Sequence, residues 1–166
     1  SKDSKITIMP VSLNESEYQF THDLMEYSNK YKKSYEENGI ELYLLRNRTR
    51  GKGMGFFEAG NFFPDFILWI LHQDKQHILF IEPHGLLHEG ENSPKIQFHK
   101  TIKGIEQRLG DKNTILESFI LSLTQYSNLN WTNDLDKLKD MNVLFMHADY
   151  FDNQTYLDIL FNKLGF

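Results

Sequence analysis

Two acids, Asp65 and Glu82, each border a long apolar run: Asp65 stands at the head of 66–71 and Glu82 at the tail of 77–82. Two buried strands joined by a short polar turn at Lys75-Gln76 form an antiparallel hairpin, and in such a hairpin the start of one strand and the end of its partner share an edge. The two carboxylates therefore converge. Converging carboxylates set among apolar residues repel one another and are costly to desolvate unless a cation bridges them. Oxygen ligands of this kind suit Mg²⁺ or Mn²⁺, which keep several waters and need only one or two protein carboxylates, with the Pro83 carbonyl as a further ligand. The competing reading makes both acids solvated exits from a sheet. Pro64, which fixes the approach to Asp65, and Pro83-His84-Gly85, which puts a titratable ring beside the metal position, weigh against it.

The elements that must position these acids are legible from spacing. Asn14-Glu15-Ser16-Glu17 reads as a capping box opening a helix whose apolar stripe is Phe20, Leu24, Tyr27 and Tyr31, stopped by Asn38-Gly39. Residues 40–45 read as a strand, followed by a turn carrying Arg46, Arg48, Arg50 and Lys52 among glycines. Ser93-Pro94 opens a second helix with Phe98, Ile102, Ile105 and Leu109 on one face and Gly110 as its stop. Strands over 115–123 and 143–147, a short helix over 134–141 and a last helix capped by Asp152-Asn153 complete the order α, β, β, β, α, β, α, β, α. A hairpin-rich beginning followed by alternating helix and strand implies an α/β fold: a mixed sheet with helices on both faces. Residues 1–10 read as a flexible tail and 11–166 as one domain, a fragment of a larger protein.

At Phe63-Pro64-Asp65 and Ile81-Glu82-Pro83-His84-Gly85 the sequence resembles the PD-(D/E)xK nuclease superfamily, in which a Pro-Asp and a downstream acid-x-Lys sit on neighbouring strands. The wider context, residues 41–47, 55–58 and 61–69, is similar to the nuclease domain fused to DEAD/DEAH-type helicases in restriction and phage-defence proteins. The resemblance covers about residues 14–123. It implies a restriction-endonuclease-like fold and a Mg²⁺- or Mn²⁺-dependent site that activates water for attack on a DNA phosphodiester. Asp65 and Glu82 match the metal-binding acids, and Glu17 falls in the first helix, where many members place another acid. Glu17 is equally explained as the capping-box residue.

One departure matters: the lysine of the pattern is His84 here. A lysine carries a fixed positive charge, whereas histidine is mostly neutral near pH 7 and can take a proton or bind metal. The alternatives are catalysis with altered pH dependence, a lysine supplied from the helix after the hairpin by Lys100 or Lys103 (positions 95, 99 and 103 share a face), or a catalytically degenerate fold that binds nucleic acid or a partner.

Charge and composition bound the rest. The 166 residues carry 18 Lys plus Arg against 23 Asp plus Glu, a net charge of −5, so DNA contact must come from local basic surfaces. The candidates are Arg46, Arg48, Arg50 and Lys52, whose other reading is a solvated hairpin tip, and Lys95, Lys100, Lys103 and Arg108 on the second helix. A chain with 40% hydrophobic and 25% charged residues is not a disordered polymer. The absence of cysteine excludes disulfides and thiolate zinc sites and makes a reducing, cytoplasmic setting the expectation. The longest apolar run, 62–80, is cut by charges, so no membrane span is expected. No Walker loop occurs, which places any helicase or ATPase motor in another domain of the same protein or complex. A homodimer is compatible with cutting both strands.

Overall fold

The computed structural model describes residues 12–47 and 53–166. Arg48, Arg50, Lys52 and the tail 1–10 lie outside them. Among the described residues the elements are α1 (Glu15–Asn38), β1 (Ile40–Arg46), β2 (Phe66–His72), β3 (Lys75–His84), α2 (Pro94–Leu109), β4 (Thr114–Ser122), α3 (Leu135–Asp140), β5 (Val143–Phe145) and α4 (Tyr156–Leu164). The strands form one five-stranded sheet in the order β1-β2-β3-β4-β5. β1, β2 and β3 pair antiparallel, and β3, β4 and β5 pair parallel. The switch has a covalent cause. β2 and β3 are joined by a two-residue turn, and the described part of the 47–65 connection between β1 and β2 holds no α-helix, whereas α2 and α3 lie between the later strands, and a parallel pairing needs such a crossover.

The pleat sorts the core into two layers. Phe66, Leu68 and Ile70 of β2 and Leu79 and Ile81 of β3 face α1 and α4, meeting Phe20, Leu24, Leu160 and Phe161. Their strand neighbours Ile67 and Phe80, with Leu116 and Ile120 of β4, face the other way onto Ile96, Phe98 and Ile102 of α2 and Leu138 of α3. This is an α/β mixed sheet with helices on both faces.

Helix ends follow their sequence signals. Asn14 caps α1 in a full capping box, Ser93 caps α2 with Pro94 in its first turn, and Gly39 and Gly110 close the two helices in left-handed conformations. Two expectations need correction. The β2–β3 turn is Gln73-Asp74, not Lys75-Gln76; Gln73 takes the positive φ of 55° that a two-residue loop demands. The cap of α4 is Thr155, paired with Asp158 in its own capping box, because Asp152 and Asn153 both have positive φ inside a preceding helical turn.

One core residue is placed against its chemistry. His77 is buried on β3, its Nδ1 has no hydrogen-bond partner, and its ring packs at 5.1 Å on Phe166. Burial, then the nearby Lys75, lowers its pKa, so it stays neutral when folded. Below about pH 6.5 the unfolded chain gains a proton here that the folded chain refuses, so stability falls with pH. His77→Leu removes the orphaned nitrogen and is expected to stabilise by about 1 kcal/mol, with a larger gain at pH 5.5 than at pH 8 in urea melts.

Candidate functional site

The hairpin register sets Phe66 against Ile81, which brings Asp65, the residue just ahead of β2, opposite Glu82. The backbone of Asp65 is fixed from two sides. Its N–H donates to Glu82 Oε2 at 3.1 Å, and its carbonyl accepts from Asn47 N–H at 2.8 Å. Asn47 also holds the approach through Pro64, donating from Nδ2 to that carbonyl at 2.8 Å.

Glu82 is buried, and its second oxygen, Oε1, accepts from Lys95 Nζ at 2.8 Å. Lys95 sits in the first turn of α2, where the helix dipole disfavours a cation, so the carboxylate of Glu82 compensates a local cost. The Lys95 ammonium also lies 5.6 Å from the centroid of the Phe62 ring. Positive charge therefore reaches this edge of the sheet from α2, thirteen residues beyond Glu82.

The Asp65 carboxylate is different. Half-buried, it receives no hydrogen bond and enters no ion pair among the described residues. Burial, followed by the neighbouring charges of Glu82 and then Glu17, pushes its pKa up to about 7, with Lys95 and Arg46 opposing. A carboxylate with unused lone pairs, beside a second carboxylate and the Pro83 carbonyl, is oxygen-donor chemistry of the kind Mg²⁺ or Mn²⁺ takes, although the Glu82 oxygens and the Pro83 carbonyl already accept from the Asp65 N–H, Lys95 and Ser16.

Glu17 reaches the site from α1, but its oxygens are engaged. Asn14 N–H donates to Oε2 at 3.0 Å, and Arg46 Nη2 donates to both oxygens at 3.0 Å. It is at once a capping-box residue and a buried acid close enough to act on Asp65. Ser16 beside it donates to the Pro83 carbonyl at 3.1 Å, tying the start of α1 to the end of β3. His84 is half-buried at the end of β3. Its pKa is lowered, chiefly by burial and then by Lys95, with Glu82 and Glu89 opposing, so near neutral pH the ring is uncharged.

Three DNA-contact expectations separate here. Arg46 faces Glu17 instead of standing as an open phosphate contact. Lys103 is bound to Glu117 at 2.6 Å and Glu106 at 3.1 Å, further along α2, because residues eight apart lie about 12 Å apart on a helix axis. Lys100 is exposed on α2. Arg48, Arg50 and Lys52 lie outside the described residues.

By sequence alone Lys95 is one lysine of a basic helix surface. A signal was present: a lysine immediately after a Ser-Pro helix start opposes the dipole and so calls for a nearby anion.

Elsewhere among the described residues, His22, Asp23 and Glu26 of α1 are the group of three ligating side chains whose atoms fall within 4.8 Å of one another. Asp23 already accepts from Gln19 and from the Tyr156 hydroxyl, each at 2.7 Å. No helix among the described residues is long and apolar enough to cross a membrane. No family model, curated protein or solved structure matches the chain.

Proposed function

We propose that this chain is a metal-dependent DNA endonuclease domain with a restriction-endonuclease-like fold of the PD-(D/E)xK type, working beside a helicase or ATPase domain in a restriction or phage-defence system. The observation that carries the reading is the convergence of Asp65, Glu82 and the ammonium of Lys95 at one sheet edge. Lys95 answers the difficulty raised by His84: the cation that the pattern expects two residues after the acid comes from α2 instead.

Asp65, Glu82 and the Pro83 carbonyl would hold Mg²⁺ or Mn²⁺, which when bound supplies Lewis-acid charge and a water of lowered pKa. The residues of the chain divide the remaining work. Glu82 holds Lys95 where its charge can offset the negative charge that grows on the phosphate oxygens. His84, kept neutral, is able to accept a proton from an attacking water. The Arg46–Glu17 pair fixes the start of α1 against the sheet edge and keeps Glu17's charge beside Asp65.

A second reading is a catalytically silent module that binds nucleic acid or a partner, and one observation favours it: both oxygens of Glu82 already have donors. One experiment separates the two. Supercoiled and single-stranded DNA are incubated with the protein in Mg²⁺, Mn²⁺ or EDTA, alongside Asp65→Ala. The nuclease reading expects cleavage that needs the metal and disappears with Asp65→Ala. DNA retention without cleavage in either metal selects the silent module.

A further inference from the structure

A cavity of about 380 Å³ opens beside the Glu82–Lys95 pair, walled on one side by residues 59–63 and on the other by Ser93, Pro94 and Lys95, with Glu89 also at its lining. Its volume is that of a small-ligand site. The wall is preformed. Phe56 and Phe62 exchange two backbone hydrogen bonds, of 2.8 and 3.1 Å, which close the intervening loop, and Glu58 in that loop is tied to Arg108 of α2 at 2.6 Å. Gly60 and Asn61 then turn the chain with consecutive positive φ values of 67° and 60°. Phe63 is seated on Gly55 so closely that a Cβ there would come within 2.3 Å of its ring.

The chemistry of the lining is mixed in a particular way. Phe63, half-buried, supplies aromatic surface, whereas Phe62 is buried against Phe98. The Asn61 amide and the Glu89 carboxylate have no hydrogen-bond partner among the described residues, and Lys95, paired with Glu82, brings an ammonium to the lining. Aromatic surface for stacking, an amide and a carboxylate for the polar edge of a ring, and a cation toward a phosphate are the needs of one nucleotide whose base is not paired. A base inside a duplex offers neither a free face for stacking nor its Watson–Crick edge. Because Glu82 and Lys95 both line the cavity, its occupant would lie next to the bond being cut.

We propose that this cavity takes the base of an unpaired nucleotide flanking the scissile phosphate, which makes single-stranded or locally opened DNA the preferred substrate. The inference rests on the nuclease reading and adds a substrate class to it.

The test measures fluorescence anisotropy of a labelled single-stranded oligonucleotide and of the same sequence closed as a duplex hairpin, with Ca²⁺ replacing Mg²⁺ so that binding is read apart from cleavage. The variants are Phe63→Ala and Asn61→Gly, the second keeping the left-handed backbone at an exposed position. The expected result is tighter binding of the single strand, weakened about tenfold by each variant, with duplex affinity unchanged. Equal or tighter duplex binding, or variants that bind the single strand like the wild type, overturns the inference; metal-dependent duplex cleavage would still leave the nuclease reading in place. Failure to bind either DNA, together with no cleavage in Mg²⁺ or Mn²⁺, overturns both.

Discussion

Asp65→Asn is expected to abolish metal-dependent cleavage and, at pH 8, to raise the melting temperature. The carboxyl of Asp65 is pushed up to about 7 by burial and by the charges of Glu82 and Glu17. In the unfolded chain the same group titrates near 3.9. Between those values the folded state holds a proton that the unfolded state has released, so this group's contribution to stability is complete below about pH 4 and is lost as the pH rises through 7. At pH 8 the wild type carries an unpaired charge in a half-buried site, and asparagine removes it. Because Asp65 keeps contact with solvent, the gain is of order 1–2 kcal/mol, less than the unscreened shift implies. At pH 4 the two proteins should melt alike. A divalent cation that binds only the folded state stabilises by mass action, so millimolar Mn²⁺ should raise the wild-type melting temperature at pH 8 and leave the variant where it was. A variant less stable than the wild type at pH 8, or an equal response of both to Mn²⁺, would remove Asp65 from the site.

The second large effect belongs to Lys95. Lys95→Met should slow cleavage by about 10²- to 10³-fold, the scale on which a preorganised transition-state stabiliser acts. The same change strands the buried Glu82 without its cation, which costs about 3–5 kcal/mol, so the melting temperature must be followed beside the rate. A structural role and a catalytic one are separable. With its ammonium gone, Glu82 should bind Mn²⁺ more tightly while cleavage stays slow; a merely unfolded protein would show weaker binding. Residue 84 provides the complementary test, since it follows Glu82 by two positions and so projects from the same side of β3. Lys95→Met combined with His84→Lys should recover at least tenfold of the lost rate, returning the charge from the strand. If His84→Ala alone is as damaging as Lys95→Met, the imidazole carries more of the chemistry than the ammonium.

The Asp65–Glu82 apposition was readable because it is local: a short antiparallel hairpin joins the two strands, and its register leaves no freedom in which ends meet. The same holds for the capping box at Asn14 and the Ser93-Pro94 helix start, where a side chain satisfies backbone groups within four residues. Even here a two-residue loop displaced the expected turn, because positive φ at Gln73 is tolerated without a glycine. The assignment of the lysine could not be read in this way. Positions 95 and 103 share a face of α2, and spacing alone cannot say which end of a helix meets the carboxylates; the return of the chain after β3 decides it.

What the sequence by itself determined is the order of elements, the apolar runs that become buried strands, and the edge at which two acids gather. Each of these follows from periodicity and short-range hydrogen bonding. Only the tertiary structure decided that Lys95 occupies Glu82, that Arg46 is turned onto Glu17 and that Asp65 is left with neither. Those pairings join residues 13 and 29 positions apart, and they depend on how α1 and α2 dock against opposite faces of the sheet. Burial then completes the distinction: desolvation and two neighbouring negative charges make Asp65 a reluctant anion, a property that no residue type carries alone.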